Sequence, residues 1–269
     1  MRANFIPALL LACAFFVAFR AAYLRCSRPL ARALIGLIAA ALAVPAVLFA
    51  SNYLLEVPFE TWFVEAHSLP GAEISSGLIG AMLGVMFASS QLRPGKLNRP
   101  ILMFCSALAF GLLIAPFGKQ LFFSVDYYDN FKNTWRDGVC VQSGGHTCLP
   151  SCCATVLRTL GTRVTEHRMA RAMGCTVYGC ETWYVRRALR KMGYEPRFSH
   201  LKSIRRAPIN SILGVKIGSL GHVVVVLAKS ERGVTVGEPL IGRMEYTWEK
   251  FERHYHPNGF CMVIRKSAD

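Results

Sequence analysis

The sequence predicts a transmembrane region of about four helices, followed by one α+β domain in which helices come first and an antiparallel sheet comes last. Three observations lead there. Hydrophobic residues make up 53% of the 269 positions, and the excess lies before Gln120. Between Cys148 and Met192 apolar residues recur at helical spacing. From Pro196 onward short apolar runs alternate with turn residues, the pattern of strands. The natural division is a membrane region at 1–120 and a second domain at 121–269.

Four stretches lack charge and are long enough to cross a bilayer, for which about 20 residues are typical. They are Ala3–Phe19, Ala33–Leu55, Ile74–Leu92 and Pro100–Gly118. The first reads as a span or anchor rather than a signal peptide, since Arg20 ends it and no small-residue cleavage site is clear before the next apolar run. Arg20, Arg25, Arg28 and Arg32 follow the first stretch, and Arg93, Lys96 and Arg99 follow the third. The loop between the second and third holds Glu56, Glu60, Glu65 and Glu73 and no Lys or Arg. The positive-inside rule counts the basic residues, so the first and third loops are expected in the cytoplasm. The domain after the fourth span then lies outside the cytoplasmic (inner) membrane. No span carries an ionisable residue at mid-depth, which argues for an anchor more than a transporter or channel. Gly77, Gly80 and Gly84 provide small-residue spacings that allow close helix packing.

In the second domain Pro150 suits the first turn of a helix reaching about Leu160, with Gly161 as its stop. Thr165 caps a short helix to about Met173. Another helix runs from about Glu181 to Met192, with Gly193 at its end. Pro196–His200, Ile212–Ile217, His222–Lys229, Gly233–Gly237 and Gly259–Arg265 read as strands. Val223–Leu227 is continuously apolar, as a strand buried on both faces would be. Glu231-Arg232-Gly233 makes a hairpin turn, and Thr247–Arg253 a short helix before the last strand.

The net charge is +15. After Gln120 there are 22 Lys and Arg against 12 Asp and Glu, a balance of +10. These residues come singly or in pairs, without a finger, helix-turn-helix or aromatic RNA-binding pattern, so no nucleic-acid partner is expected. A solvated face or attraction to anionic lipid accounts for them.

The chemistry centres on Gln142–Arg158, a glycine-rich loop running into a helix. It puts Cys148 at or just before a helix N-terminus, where free N–H groups and the helix dipole favour a thiolate. Such a nucleophile needs a base, an orienting group and an oxyanion donor. His222 opens the buried strand. Glu238 ends the next one, and antiparallel pairing brings both side chains to one end of the sheet. Gln142 can reach back as the oxyanion donor.

Gln142, then Cys148 six positions on, then His222 before an apolar run, then Glu238-Pro239 sixteen positions later: this order resembles the bacteriocin-processing, double-glycine-leader cysteine peptidases. Those are papain-like domains often fused to ABC exporters. The resemblance spans roughly Val139 to Arg265 and includes Pro150, Ala154–Gly161 and Gly179–Gly193. It implies a papain-like fold with Cys148 as nucleophile, His222 as base, Glu238 as orienting acid and Gln142 in the oxyanion hole. It also implies a peptide or protein substrate, such as a glycine-ended leader, and a secretion or transport complex as partner. No cofactor is implied. Two positions differ. The family usually has Gly where Leu149 stands, and Asp where Glu238 stands. Both favour a rival reading, an inactive relative serving as a peptide-binding or assembly module of a secretion system.

Other cysteines offer alternatives. Cys152 and Cys153 are rival nucleophiles, though they lie inside the helix where free N–H groups are spent. His146 reads as a loop residue. Cys175 with Cys180, or either with Cys140, could form a disulfide, and the sequence leaves the pairing open. The cysteine spacing fits no zinc site.

Overall fold

The computed structural model describes residues 4–54, 60–92, 99–127 and 130–267. Among them are nine α-helices and eight strands. In order these are α1 (Phe5–Arg25), α2 (Pro29–Leu54), α3 (Glu60–His67), α4 (Ile79–Leu92), α5 (Arg99–Phe122), β1 (Thr134–Arg136), β2 (Val139–Val141), α6 (Cys148–Thr159), α7 (Glu166–Ala172), α8 (Thr182–Arg190), β3 (Tyr194–His200), β4 (Ser211–Ile217), β5 (Leu220–Lys229), β6 (Gly233–Glu238), β7 (Gly242–Thr247), α9 (Trp248–Tyr255) and β8 (Phe260–Lys266). The chain divides into two compact units, Met1–Glu60 with Leu69–Phe122, and Thr61–Ser68 with Phe123–Asp269.

The second unit holds a six-stranded antiparallel sheet in the order β3-β8-β4-β5-β6-β7, and β1 and β2 form a separate hairpin. β5 is interior, and successive side chains on a strand point to opposite faces. Val225 therefore joins a core with Val156, Leu157, Met169, Leu189 and Met262 of the helices and strands on one side. Val224 and Val226 join Leu213, Val236 and Phe251 on the other, beneath α9. That two-sided burial is the reason the run at Val223–Leu227 is uninterrupted. The domain is α+β with its helices ahead of an antiparallel sheet, as the sequence predicts.

Several elements differ from expectation. α6 begins at Cys148, two residues earlier than the helix read from Pro150. Pro150 still sits in the first turn, where its missing N–H needs no partner. Gly161, at φ 89°, ends the segment in the left-handed region. β7 was not foreseen. It is an edge strand with only one buried face, and its Arg243, Glu245 and Thr247 face solvent. α3 lies where the sequence suggests an acidic loop. Its Glu65 pairs with Arg186, and Arg190 lies 3.6 Å away.

The first unit holds four helical stretches long and apolar enough to cross a membrane: Phe5–Arg25, Pro29–Ser51, Ala72–Leu92 and Arg99–Phe122. Each contains the core of one expected span. Ala3, Leu55, Glu56, Arg93 and Lys96 lie outside the described residues. α1 continues past Arg20, whose guanidinium donates to Gln91 at 3.3 Å. The third stretch begins as a 3₁₀ turn, Ala72–Leu78. Glu73, read as a loop acid, is buried there and accepts from the Asn4 amide at 3.1 Å. Its partner is distant in sequence, so hydropathy alone could not reveal the burial.

Gly77, Gly80 and Gly84 form one face along this stretch. A Cβ on them would strike the backbone carbonyls of Ala8, Ala12 and Phe16 respectively. Missing side chains thus let α1 lie against the third stretch at backbone contact, the arrangement small residues permit in membranes. It makes α1 an integral part of the bundle. Gly80→Val should destabilise the detergent-solubilised full chain by about 2 kcal/mol through forced separation of the helices. Gly111→Ala is the control, since nothing lies within 4 Å of a Cβ there. Thermal denaturation of both variants checks the difference.

Candidate active site

The loop from Gln142 to Thr147 is tied down at its start. The Gln142 backbone N–H donates to the Pro239 carbonyl at 2.7 Å, which fastens the loop beside the end of β6. The Ser143 N–H and hydroxyl both donate to the carboxylate of Glu166, at 2.7 and 2.5 Å. Glu166 is fully buried at the first position of α7. Thr165 caps that helix as expected, accepting from the Arg168 N–H at 3.1 Å. The Lys132 N–H donates to the Ser143 hydroxyl at 2.8 Å. Cys148 follows as the first residue of α6, half-buried.

His222 sits opposite Val215 in the β4–β5 register, on the side of the sheet that α9 covers. Glu238 comes one residue after Gly237, which pairs with Val225. This places the two side chains next to each other, and His222 Nε2 meets Glu238 Oε1 at 2.6 Å. Both are nearly buried, with side-chain exposures of 8% and 2%. Glu238 Oε1 also accepts the Leu240 N–H at 3.1 Å, and Oε2 accepts the Tyr255 hydroxyl at 2.6 Å. With Nε2 engaged, Nδ1 is the ring nitrogen left for the thiol that α6 brings from the other side of the sheet.

Burial opposes a charge on His222, but hydrogen bonds to Cys148 and Glu238 and the charges of both outweigh it, raising the ring to about 9. Burial likewise opposes ionisation of Glu238. The bonds from His222, Tyr255 and Leu240, with the imidazole's charge, still hold the carboxyl below its usual range. Burial raises the Tyr255 hydroxyl, and its bond to Glu238 adds to this, so it remains a donor.

The other thiols are structural by the same physics. Burial pushes Cys152 and Cys153 far up, and the charge of Cys148 adds to both. Cys152 Sγ donates to the Val223 carbonyl at 3.4 Å. Burial, with the nearby Glu166 charge, pushes Cys140 up to about 12. His146 is an exposed loop residue. Cys175 and Cys180 are joined in a disulfide, one of the pairings the sequence left open.

The four sequence-predicted residues do not stand alike. Cys148, His222 and Glu238 come together. The Gln142 amide nitrogen donates to the Gly144 carbonyl at 2.7 Å, and its Oε1 is buried with no hydrogen-bond partner among the described residues. One amide N–H therefore holds the loop and the second remains. Leu149 packs its side chain against the core. Two residues were missed, Glu166 and Tyr255. Tyr255 follows Trp248 and Phe251 at helical spacing, so carrying that helix one turn further would have found it.

Residues 137–269 match the family model of the peptidase C39 family. The chain belongs to the peptidase C39 family. An uncharacterized protein of Methanothermobacter thermautotrophicus is 31% identical over 136 residues, covering 49% of this chain and 90% of that relative. One from Methanothermobacter marburgensis is 29% identical over 143 residues, covering 52% and 97%. A solved double glycine motif protease from an AMS/PCAT transporter, in complex with the leader peptide, aligns at 19% identity and TM-score 0.43, covering 48% of this chain and 91% of that one. The N-terminal peptidase C39 like domain of a toxin secretion ATP-binding protein from Vibrio parahaemolyticus aligns at 14% identity and TM-score 0.37, covering 46% and 99%.

In the C39 domain His222 is charged more readily folded than unfolded. Its contribution to stability is therefore full below pH 6.5, the ordinary histidine value, and is lost as pH rises through about 9. Glu238→Gln removes a charge that raises the ring. Its His222 should titrate lower by NMR, and the alkaline loss of thermal stability should move to lower pH with it.

Proposed function

We propose that this chain is a membrane-anchored cysteine peptidase that cleaves a peptide or protein outside the cytoplasmic membrane. The observation behind this is the continuous contact from Cys148 through His222 to Glu238, with the imidazole raised by both neighbours. Cys148 gives its proton to His222 and attacks the scissile carbonyl. Glu238 fixes the ring so that Nδ1 faces the sulfur. The oxyanion forms beside the Cys148 N–H, which has no intrahelical partner at the first position of α6, and beside the free N–H of the Gln142 amide. Collapse breaks the C–N bond, and His222 protonates the leaving amine. A thioester remains. Water then attacks it with His222 as base, releasing the acid and restoring the thiol.

The substrate we propose is a glycine-ended leader peptide, on the strength of the order Gln142, Cys148, His222 and an acid at Glu238, which resembles that of leader-processing peptidases although their acid is usually Asp. Arg25, Arg28 and Arg32 near the start of α2 support a cytoplasmic first loop and an external C39 domain. The Cys175–Cys180 disulfide suits an oxidising exterior. A secretion or transport complex is the partner this reading implies. The inactive-module reading rests on Leu149 and Glu238. Leu149 turns to the core and Glu238 reaches the imidazole at 2.6 Å, so neither position favours it.

Cys148→Ala should abolish both hydrolysis of a double-glycine leader peptide and rapid iodoacetamide labelling within residues 148–153, mapped by mass spectrometry on the purified full chain, in which Cys13 is a separate exposed thiol. Cys152→Ala should keep both. Hydrolysis persisting in Cys148→Ala would defeat the assignment. Gln142→Ala should lower kcat by about 100-fold or more, the cost of losing one oxyanion donor. Its alkylation rate should barely change, because alkylation creates no oxyanion.

A further inference from the structure

We propose that Tyr255 is a positioning residue of the C39 site: its hydroxyl holds the Glu238 carboxylate in the one orientation that keeps His222 aligned with Cys148. The proposal rests on the peptidase reading of Cys148 and His222 and extends it to α9. Glu238 is one methylene longer than Asp and has one more torsion to restrain. A nearly buried carboxylate must also find donors for both oxygens. Oε1 has the His222 ring and the Leu240 N–H, and Oε2 has the Tyr255 hydroxyl at 2.6 Å. Without that hydroxyl Oε2 would lose its donor in a buried site. The carboxylate would then rotate toward water and away from the ring.

The position of Tyr255 is set by its own helix. The Thr247 hydroxyl accepts from the Lys250 N–H at 3.3 Å and starts α9. Trp248, Phe251 and Tyr255 bury themselves one above the other against the sheet. His256 then leaves the helix in the left-handed region, at φ 40°. Tyr255 is thus the last helical residue, two turns from the cap, and its ring is fully enclosed. Behind it the Tyr246 hydroxyl of β7 lies 3.4 Å from its own. Since Tyr255 donates to Glu238, Tyr246 is the donor in that second bond, and the chain Tyr246–Tyr255–Glu238–His222 is polarised in one direction. Among the described residues, the titratable groups around the carboxylate are His222 from β5, Cys152 from α6 and Tyr255 from α9, with Tyr246 of β7 behind and Cys148 of α6 on the far side of the ring. His222 is the one that depends on the carboxylate for its charge.

Tyr255→Phe removes one oxygen and keeps the ring. In the full chain the His222 titration, followed by NMR, should fall by about one unit. The alkaline limb of the kcat/KM profile should move down with it, and kcat should drop about tenfold with little change in KM. In a Glu238→Asp background the shorter side chain withdraws from the hydroxyl, so Tyr255→Phe should add no further shift. A merely structural role would lower the melting temperature and leave both titrations in place, and that result overturns the proposal. Should Tyr255→Phe fail to fold, Tyr246→Phe weakens the same donor from a half-buried site. A smaller fall of the same sign is expected, and no fall overturns the proposal. The NMR titration needs no turnover. An inactive wild-type chain whose His222 still responds would refute the peptidase reading alone.

Discussion

The hydrogen bond between Glu238 and His222 is the contact around which the C39 domain is arranged. Two ionisable groups sit there with almost no access to water, and desolvation works against charge on both. A buried ion pair of this kind persists only when its remaining polar atoms are also satisfied. Leu240 and Tyr255 fill that need, one from the turn after β6 and one from the end of α9. The antiparallel register of β5 and β6 supplies the adjacency, and α9, which covers that same face of the sheet, supplies the last donor. Backbone pairing and helix capping are thereby coupled to the protonation of one imidazole.

The same balance of burial and charge distinguishes the thiols. Cys140, Cys152, Cys153 and Cys261 are buried, and burial raises each of them. They act as small apolar side chains. Cys148 differs by standing half-exposed at the first position of α6, beside the His222 ring. The loop before it is not a loose glycine segment. Glu166 takes two bonds from Ser143, and Pro239 takes the Gln142 N–H, so the start of the loop that leads to the thiol is held from α7 and from the residue after β6.

Much of this was legible in the chain because its signals are local. The four apolar stretches, the change from helical to strand periodicity, the N-terminal place of Cys148 and the continuous apolar run after His222 each follow from neighbouring residues. What escaped was of two kinds. β7 carries Arg243 and Glu245 because only one of its faces is covered, so it lacks the apolar density that marks an inner strand. Glu73, Glu166 and Tyr255 have partners at Asn4, Ser143 and Glu238, far off in sequence, and a lone acid or tyrosine has the same local pattern whether solvated or buried.

The amino-acid order by itself determined the class of the fold, the four candidate residues and the expectation that they converge, since periodicity and spacing are properties of adjacent positions. Only the folded chain decided which oxygen of Glu238 faces the imidazole, which groups occupy the other, where the Leu149 side chain goes and which cysteines pair. Those choices depend on desolvation and on donors arriving from separate elements. Neither exists until the sheet has closed between α6 and α9.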